Sequence, residues 1–159
     1  MEYRHLIQEF WSNKTLYLLL IGNPYCSDDA LGYHLFQDLK AKNKTQNNLK
    51  YFFSYQIEIE ELLYALDADQ SNSCVLLLDT IRSTNRQSSI QFRLDQQEKV
   101  YSSHRAEFSI INRFCSSYNI PFAILLFPVL NSEFTCEIFP LSESMNKIKT
   151  DLLTIFTNN

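Results

Sequence analysis

Only two glycines occur in this 159-residue chain, Gly22 and Gly32, and both fall within one short segment, Gly-Asn-Pro-Tyr-Cys-Ser-Asp-Asp-Ala-Leu-Gly. A chain of ordinary composition carries about 7% glycine, several times more than this. The segment follows directly on the first strongly apolar run, Leu16-Tyr-Leu-Leu-Leu-Ile21. Glycine tolerates positive φ and close backbone approach without steric cost. The placement therefore predicts a tight, shaped loop between a buried strand and a helix, with Asp28 and Asp29 presented from it.

Strand-like and helix-like patterns alternate along the rest of the chain. Leu16–Ile21 and Val75–Leu78 are short continuous apolar runs, as expected of parallel strands covered on both faces. Leu49–Tyr55 and Pro121–Phe127 read the same way. Helical spacing of apolar residues marks Asp29–Lys42, Glu58–Ala68, His104–Tyr118 and the tail Ser142–Phe156. Ser89–Leu94 alternates apolar and polar, which predicts a half-exposed edge strand. Lys40–Asn48 and Thr80–Ser88 are polar and read as surface loops. The expected fold is α/β, a three-layer α/β/α sandwich with a mostly parallel central sheet and Ser89–Leu94 as its antiparallel member. One domain over residues 1–159 accounts for the pattern, with 1–14 as an appended N-terminal helix.

The formal net charge is −4 and the basic residues are scattered, which leaves no electrostatic footprint for nucleic acid. The longest apolar run, Phe122–Leu130, is nine residues and contains Pro128, too short for a membrane span. The start, Met1-Glu-Tyr-Arg-His-Leu-Ile-Gln-Glu, lacks the apolar stretch of a signal peptide. Cysteines at 26, 74, 115 and 136 show no metal-finger spacing, with Cys74 and Cys136 expected inside strands. These features predict a cytoplasmic protein with four free thiols.

In open α/β sheets, ligands collect outside the carboxyl ends of the strands. Three polar groups occupy such positions. Asp28 and Asp29 follow the first strand, Asp79 ends the run Val75-Leu-Leu-Leu78, and His104 opens a helix. Two carboxylates and an imidazole suit a borderline divalent metal, and an aspartate beside such an ion can act as a general base. Each group also has a local structural reading. One of Asp28 and Asp29 would cap the following helix. Asp79 would fasten the next loop through its own backbone. His104 would be structural or simply exposed at a helix start, and His5 and His34 are read in the same way.

The segment Leu18-Leu-Leu-Ile-Gly-Asn-Pro-Tyr-Cys-Ser-Asp-Asp-Ala-Leu-Gly32 resembles the opening of the nickel–iron hydrogenase maturation endopeptidases. Those begin with an apolar strand, then GxGN, a turn, an acidic pair and a further glycine pattern. The family's first metal ligand falls on Asp29. Val75-Leu-Leu-Leu-Asp79-Thr80 is similar to the family's apolar strand ending in Asp-Ala, which carries the second ligand to Asp79. Ser102-Ser103-His104 looks like its Ser-Ser-His, which carries the third to His104. Tyr55-Gln-Ile-Glu-Ile-Glu-Glu-Leu-Leu63 resembles a Gln-Leu-x-Pro-Glu-Leu stretch of one subgroup. Order and spacing match over residues 16–128.

The resemblance implies an endopeptidase that removes the C-terminal extension of a hydrogenase large-subunit precursor after nickel insertion. Asp29, Asp79 and His104 would be both the catalytic and the metal-engaging residues. Nickel would arrive with the precursor, so no tightly bound cofactor of its own is expected. The chain departs from the family pattern at Leu20 and Ala30, both glycines there, and in the loop Thr80–Ser88, which lacks Gly and Pro. Leu20 and Ala30 are compatible with the pattern if their φ is negative. Two other readings stay open: a relative that binds a hydrogenase precursor or metal-bearing peptide without cutting it, and an unrelated small α/β enzyme in which Asp29 and Asp79 bind a non-metal ligand.

Overall fold

A computed structural model describes residues 2–42, 48–54, 59–82, 89–94, 105–129 and 136–158. The elements run α1 (Glu2–Trp11), β1 (Thr15–Leu20), a 3-10 turn (Ser27–Ala30), α2 (Leu31–Lys42), β2 (Leu49–Phe53) and α3 (Ile59–Asp67). They continue with β3 (Ser73–Arg82), β4 (Gln91–Leu94), α4 (Arg105–Ser117), β5 (Phe122–Val129) and α5 (Glu143–Thr157). The sheet order is β2-β1-β3-β5-β4. All neighbours are parallel except β4, which pairs antiparallel with β5.

The alternation of side chains along each strand divides the core in two. Leu16, Leu18 and Leu20 of β1, with Leu76 and Leu78 of β3 and Leu125 and Phe127 of β5, join the core of α1, α2 and α5. Tyr17, Leu19, Val75, Leu77, Ile124 and Leu126 point the other way, onto α3 and α4. The result is the expected three-layer α/β arrangement. Continuous apolar runs form the central strands because both faces are covered.

Three local expectations are corrected. β3 does not end at Asp79 but continues through Thr80, Ile81 and Arg82. β5 runs beside it as far as Val129, paired with Arg82, and supplies backbone partners throughout. The β-branched Thr80 and Ile81 suit that extended backbone. The rest of the expected Thr80–Ser88 loop lies outside the described residues. β2 is parallel but forms an edge, so Lys50 is exposed and Tyr51 and Phe52 are only half-buried instead of covered on both faces. Cys136 is not in a strand; it is exposed in a bend, while Cys26, Cys74 and Cys115 are buried, all four as free thiols. Burial pushes the Cys74 and Cys115 thiols up to about 12.

β1 has β2 on one side and β3 on the other, so the chain reverses its direction of travel across the sheet between β1 and β3. The crossover from β1 to β2 passes through α2 on one face, and that from β2 to β3 through α3 on the opposite face. The crevice this leaves at the strand carboxyl ends is the usual ligand position of an open α/β sheet.

Candidate functional site

The last paired residues of β1 and β3 are Leu20 and Leu78, and the Ile21 N–H then bonds the Leu78 carbonyl at 2.9 Å. Beyond that point the paired neighbour of β3 among the described residues is β5, and the turn after Gly22 lies against β3 on the β1 side. Asn23 organises this turn. Its side-chain oxygen accepts the Tyr25 N–H at 3.0 Å, and its carbonyl accepts the Cys26 N–H at 3.1 Å. The Cys26 carbonyl in turn accepts the Asp29 N–H at 2.9 Å. Ser27, buried here, has a φ of 41°.

Both glycines serve a single contact. A Cβ on Gly22, whose φ is +155°, would lie 2.2 Å from the Asp29 carbonyl oxygen. A Cβ on Gly32 would lie 2.2 Å from the Ile21 carbonyl oxygen and 2.8 Å from its carbon. Strand end and turn are thus pressed backbone to backbone at two adjacent points, and neither tolerates a side chain. This close approach fixes where Asp29 stands. Leu20 and Ala30 do not disturb it: both are fully buried in the α1, α2 and α5 core, and neither has a positive φ.

The Asp29 side chain is half-buried. One carboxylate oxygen accepts the Asn23 N–H at 3.3 Å, and the other accepts the Thr80 hydroxyl. Asp79 is 2% exposed, and its Oδ1 accepts the backbone N–H of Thr80 at 2.8 Å. The local contact expected of Asp79 is therefore present, though within a strand and not in a loop. Thr80 touches both carboxylates. The expected loop would begin at Thr80; the signal against it is that the β-branched Thr80 and Ile81 follow Asp79 directly.

Asp28 behaves differently from its neighbour. Its carboxylate accepts the Ser142 N–H and hydroxyl, each at 2.8 Å. Ser142 is the N-cap of α5 and accepts the Met145 N–H at 3.3 Å. An acid of the pair does stand at a helix N-terminus, but at that of α5, not of the helix that follows it. The N-cap of the 3-10 turn is Cys26, which makes no side-chain capping bond. Two further bonds hold the tail to this turn and to α2. The Phe139 N–H donates to the Pro24 carbonyl at 2.9 Å, and His34 Nε2 bonds the Phe139 carbonyl at 2.8 Å. The structural reading of His34 stands, and His5 is exposed on α1.

His104 lies outside the described residues. Among the described residues, no group of three or more His, Cys, Asp or Glu side chains is arranged to hold a metal ion. What the described site offers is two carboxylates, one half-buried and one buried, each hydrogen-bonded to Thr80 at the switch point of the sheet. Hard oxygen donors of this kind suit a divalent cation or a proton-transfer role. Among the described residues, no helix is long and apolar enough to cross a membrane.

No family model matches the sequence. No curated protein matches it either. Solved structures do match in shape. A nickel–iron hydrogenase maturation protease, HycI, from Thermococcus kodakarensis KOD1 superposes with a TM-score of 0.70 at 17% identity, covering 96% of this chain and 97% of that one. The endopeptidase HycI from Escherichia coli gives 0.61 at 14% identity over 88% and 87% of the two chains. The hydrogenase maturating endopeptidase HybD from E. coli gives 0.55 at 14% identity over 87% and 86%. At such identities the likeness is one of fold. The strand order, the turn locked by Gly22 and Gly32, and these superpositions agree: this chain has the fold of the nickel–iron hydrogenase maturation proteases.

Proposed function

We propose that this protein is an endopeptidase that removes the C-terminal extension of a nickel-loaded hydrogenase large-subunit precursor. The observation that carries the reading is the convergence of Asp29 and Asp79 on Thr80 at the switch point. Those two aspartates are the residues onto which the family's ligand positions fall, and the fold likeness extends over nearly the whole chain.

In this reading nickel belongs to the substrate. Asp29, Asp79 and His104 engage the ion as the precursor docks, two oxygen donors and an imidazole completing a shell that the precursor fills only in part. The ion polarises a peptide carbonyl held nearby, water adds to that carbon, and the C–N bond breaks as the departing amine takes up a proton. Recognition and cleavage then depend on the same three side chains, so a precursor without nickel is not cut. Binding of a hydrogenase precursor without cleavage is the second reading. The intact packing at Leu20 and Ala30 favours the first, because these departures leave the Asp29 turn undisturbed.

The test is incubation of purified protein with nickel-loaded and nickel-free precursors, with the released peptide identified by mass spectrometry. Release from the loaded form alone is expected. Tight binding of loaded precursor with no release would establish the non-cleaving relative, and indifference to nickel would refute both.

A further inference from the structure

Asp29 lies in the 3-10 turn after β1 and Asp79 on β3, and the pairing of β1 with β3 stops at Leu20 and Leu78. Among the described residues, two contacts orient the Asp29 carboxylate. The first is the N–H of Asn23, long at 3.3 Å and from the same turn. The second is the Thr80 hydroxyl, from the neighbouring strand. Only the second ties Asp29 to the element that bears Asp79.

The two hydrogen bonds that Thr80 donates to carboxylates differ in what they require of the residue. The N–H bond to Asp79 is available to any residue except proline. The bond to Asp29 needs a hydroxyl, and the pattern that this strand resembles has alanine at the position. Thr80 is 8% exposed and β-branched, so its χ1 is restricted and the hydroxyl is a preset donor. An aspartate side chain without such a donor would spread over its staggered rotamers.

We propose that Thr80 is a positioning residue whose hydroxyl holds the Asp29 side chain in a single rotamer, tied to the strand that bears Asp79. Each carboxylate oxygen can accept more than one hydrogen bond or ligand, so the Thr80 bond leaves Asp29 Oδ1 able to take a further partner. The consequence for cleavage rests on the proposed function; the positioning itself does not.

The test compares wild-type protein with Thr80→Val, which keeps the shape and removes the hydroxyl, Thr80→Ala, and Thr80→Ser, which restores the donor. Three-bond couplings from Asp29 Cγ to its own backbone nitrogen and carbonyl carbon read the rotamer directly by NMR. Single-rotamer couplings are expected for the wild type and Thr80→Ser, and averaged couplings for Thr80→Val and Thr80→Ala. On nickel-loaded precursor, kcat should fall by about tenfold to a hundredfold in the valine and alanine variants with little change in KM, and recover in Thr80→Ser. Using two hydroxyl-free variants of different size guards against a folding defect in either. Wild-type couplings in folded Thr80→Val or Thr80→Ala overturn the proposal. So do averaged couplings with undiminished kcat, or failure of serine to rescue. If the wild type cuts no loaded precursor, the functional reading fails, and the couplings still decide the positioning.

Discussion

The turn after β1 carries two adjacent carboxylates that serve different regions of the molecule. Asp29 faces inward, to the hydroxyl of Thr80 on β3. Asp28 faces outward and holds Ser142 at the start of α5, 114 residues further along the chain. The inner junction is backbone pressed on backbone, with no room for a Cβ at Gly22 or Gly32. The outer clasp is made of exposed or half-exposed hydrogen bonds between a turn and a tail. Neighbouring residues of identical chemistry thus divide the work: one is tied to the strand that carries Asp79, and the other fastens the tail.

The largest expected effect tests that division by making the same change at both residues. Asp29→Asn keeps the size and one acceptor oxygen but removes the charge that a cation would meet. It should stay folded and lower cleavage of nickel-loaded precursor by about a thousandfold, roughly 4 kcal/mol on the barrier. Asp79→Asn and His104→Ala should lose activity comparably. Asp28→Asn should retain cleavage within about threefold, since a hydrogen bond to an exposed partner contributes little beyond fastening. Assays of the purified variants with thermal melts decide the matter. A dead Asp28→Asn beside an active Asp29→Asn would reverse the comparison.

Next in size comes the backbone contact beneath Asp29. Gly32→Ala would place a methyl 2.2 Å from the Ile21 carbonyl oxygen, with both neighbours being main chain and unable to rotate away. Overpacking of that kind costs roughly 3 kcal/mol, and here it would displace the Asp29 turn as well. Chemical denaturation should show the lost stability, and cleavage should fall with it. A Gly32→Ala protein as stable and active as the wild type would mean that the turn is not locked in the way described.

How far the sequence predicted all this depends on whether the determining contact is local. The glycines were informative because residue 22 and residue 32 flank the turn they shape. The central strands were legible because residues 16–21 and 75–78 are apolar on both faces, and the tail helix because Ser142 opens a regular pattern. The extent of β3 was not legible. Thr80, Ile81 and Arg82 are extended because β5 lies beside them, a neighbour that appears in the chain only from Phe122. The expectation that one of Asp28 and Asp29 caps the following helix misses the role of Asp28 for the same reason. A carboxylate near the start of a helix pattern implies a local cap, but the donors it found belong to α5. Thr80 escaped notice because a polar residue after an apolar run looks like the first residue of a loop.

The outer clasp supplies the smaller effects. Asp28→Ala removes both bonds to Ser142 and a negative charge near the N-terminus of α5, and should cost about 1 kcal/mol. A loss above roughly 3 kcal/mol would mean that the tail and turn fold as one unit, beyond what two exposed bonds explain.

The smallest effect concerns His34. The Phe139 carbonyl can only accept, so the Nε2 atom 2.8 Å away must carry the hydrogen. The imidazole is therefore a donor that pins the tail to α2, with the Tyr33 ring edge-on beside it. His34→Ala should lose somewhat less than 1 kcal/mol, a lowering of the melting temperature by about 2 °C. His34→Gln, whose amide can donate to the same carbonyl, should recover part of it. Neither should change cleavage, because among the described residues the clasp bonds join Asp28, Pro24 and His34 to Ser142 and Phe139 and involve neither Asp29 nor Asp79. The informative measurement is the ratio of lost activity to lost stability across both regions. Inner-junction variants should lose activity out of proportion to stability, and clasp variants should lose a little stability alone. If His34→Ala impairs cleavage as severely as Asp29→Asn while melting normally, the tail over α2 belongs to the working site, and the division between inner and outer carboxylates falls.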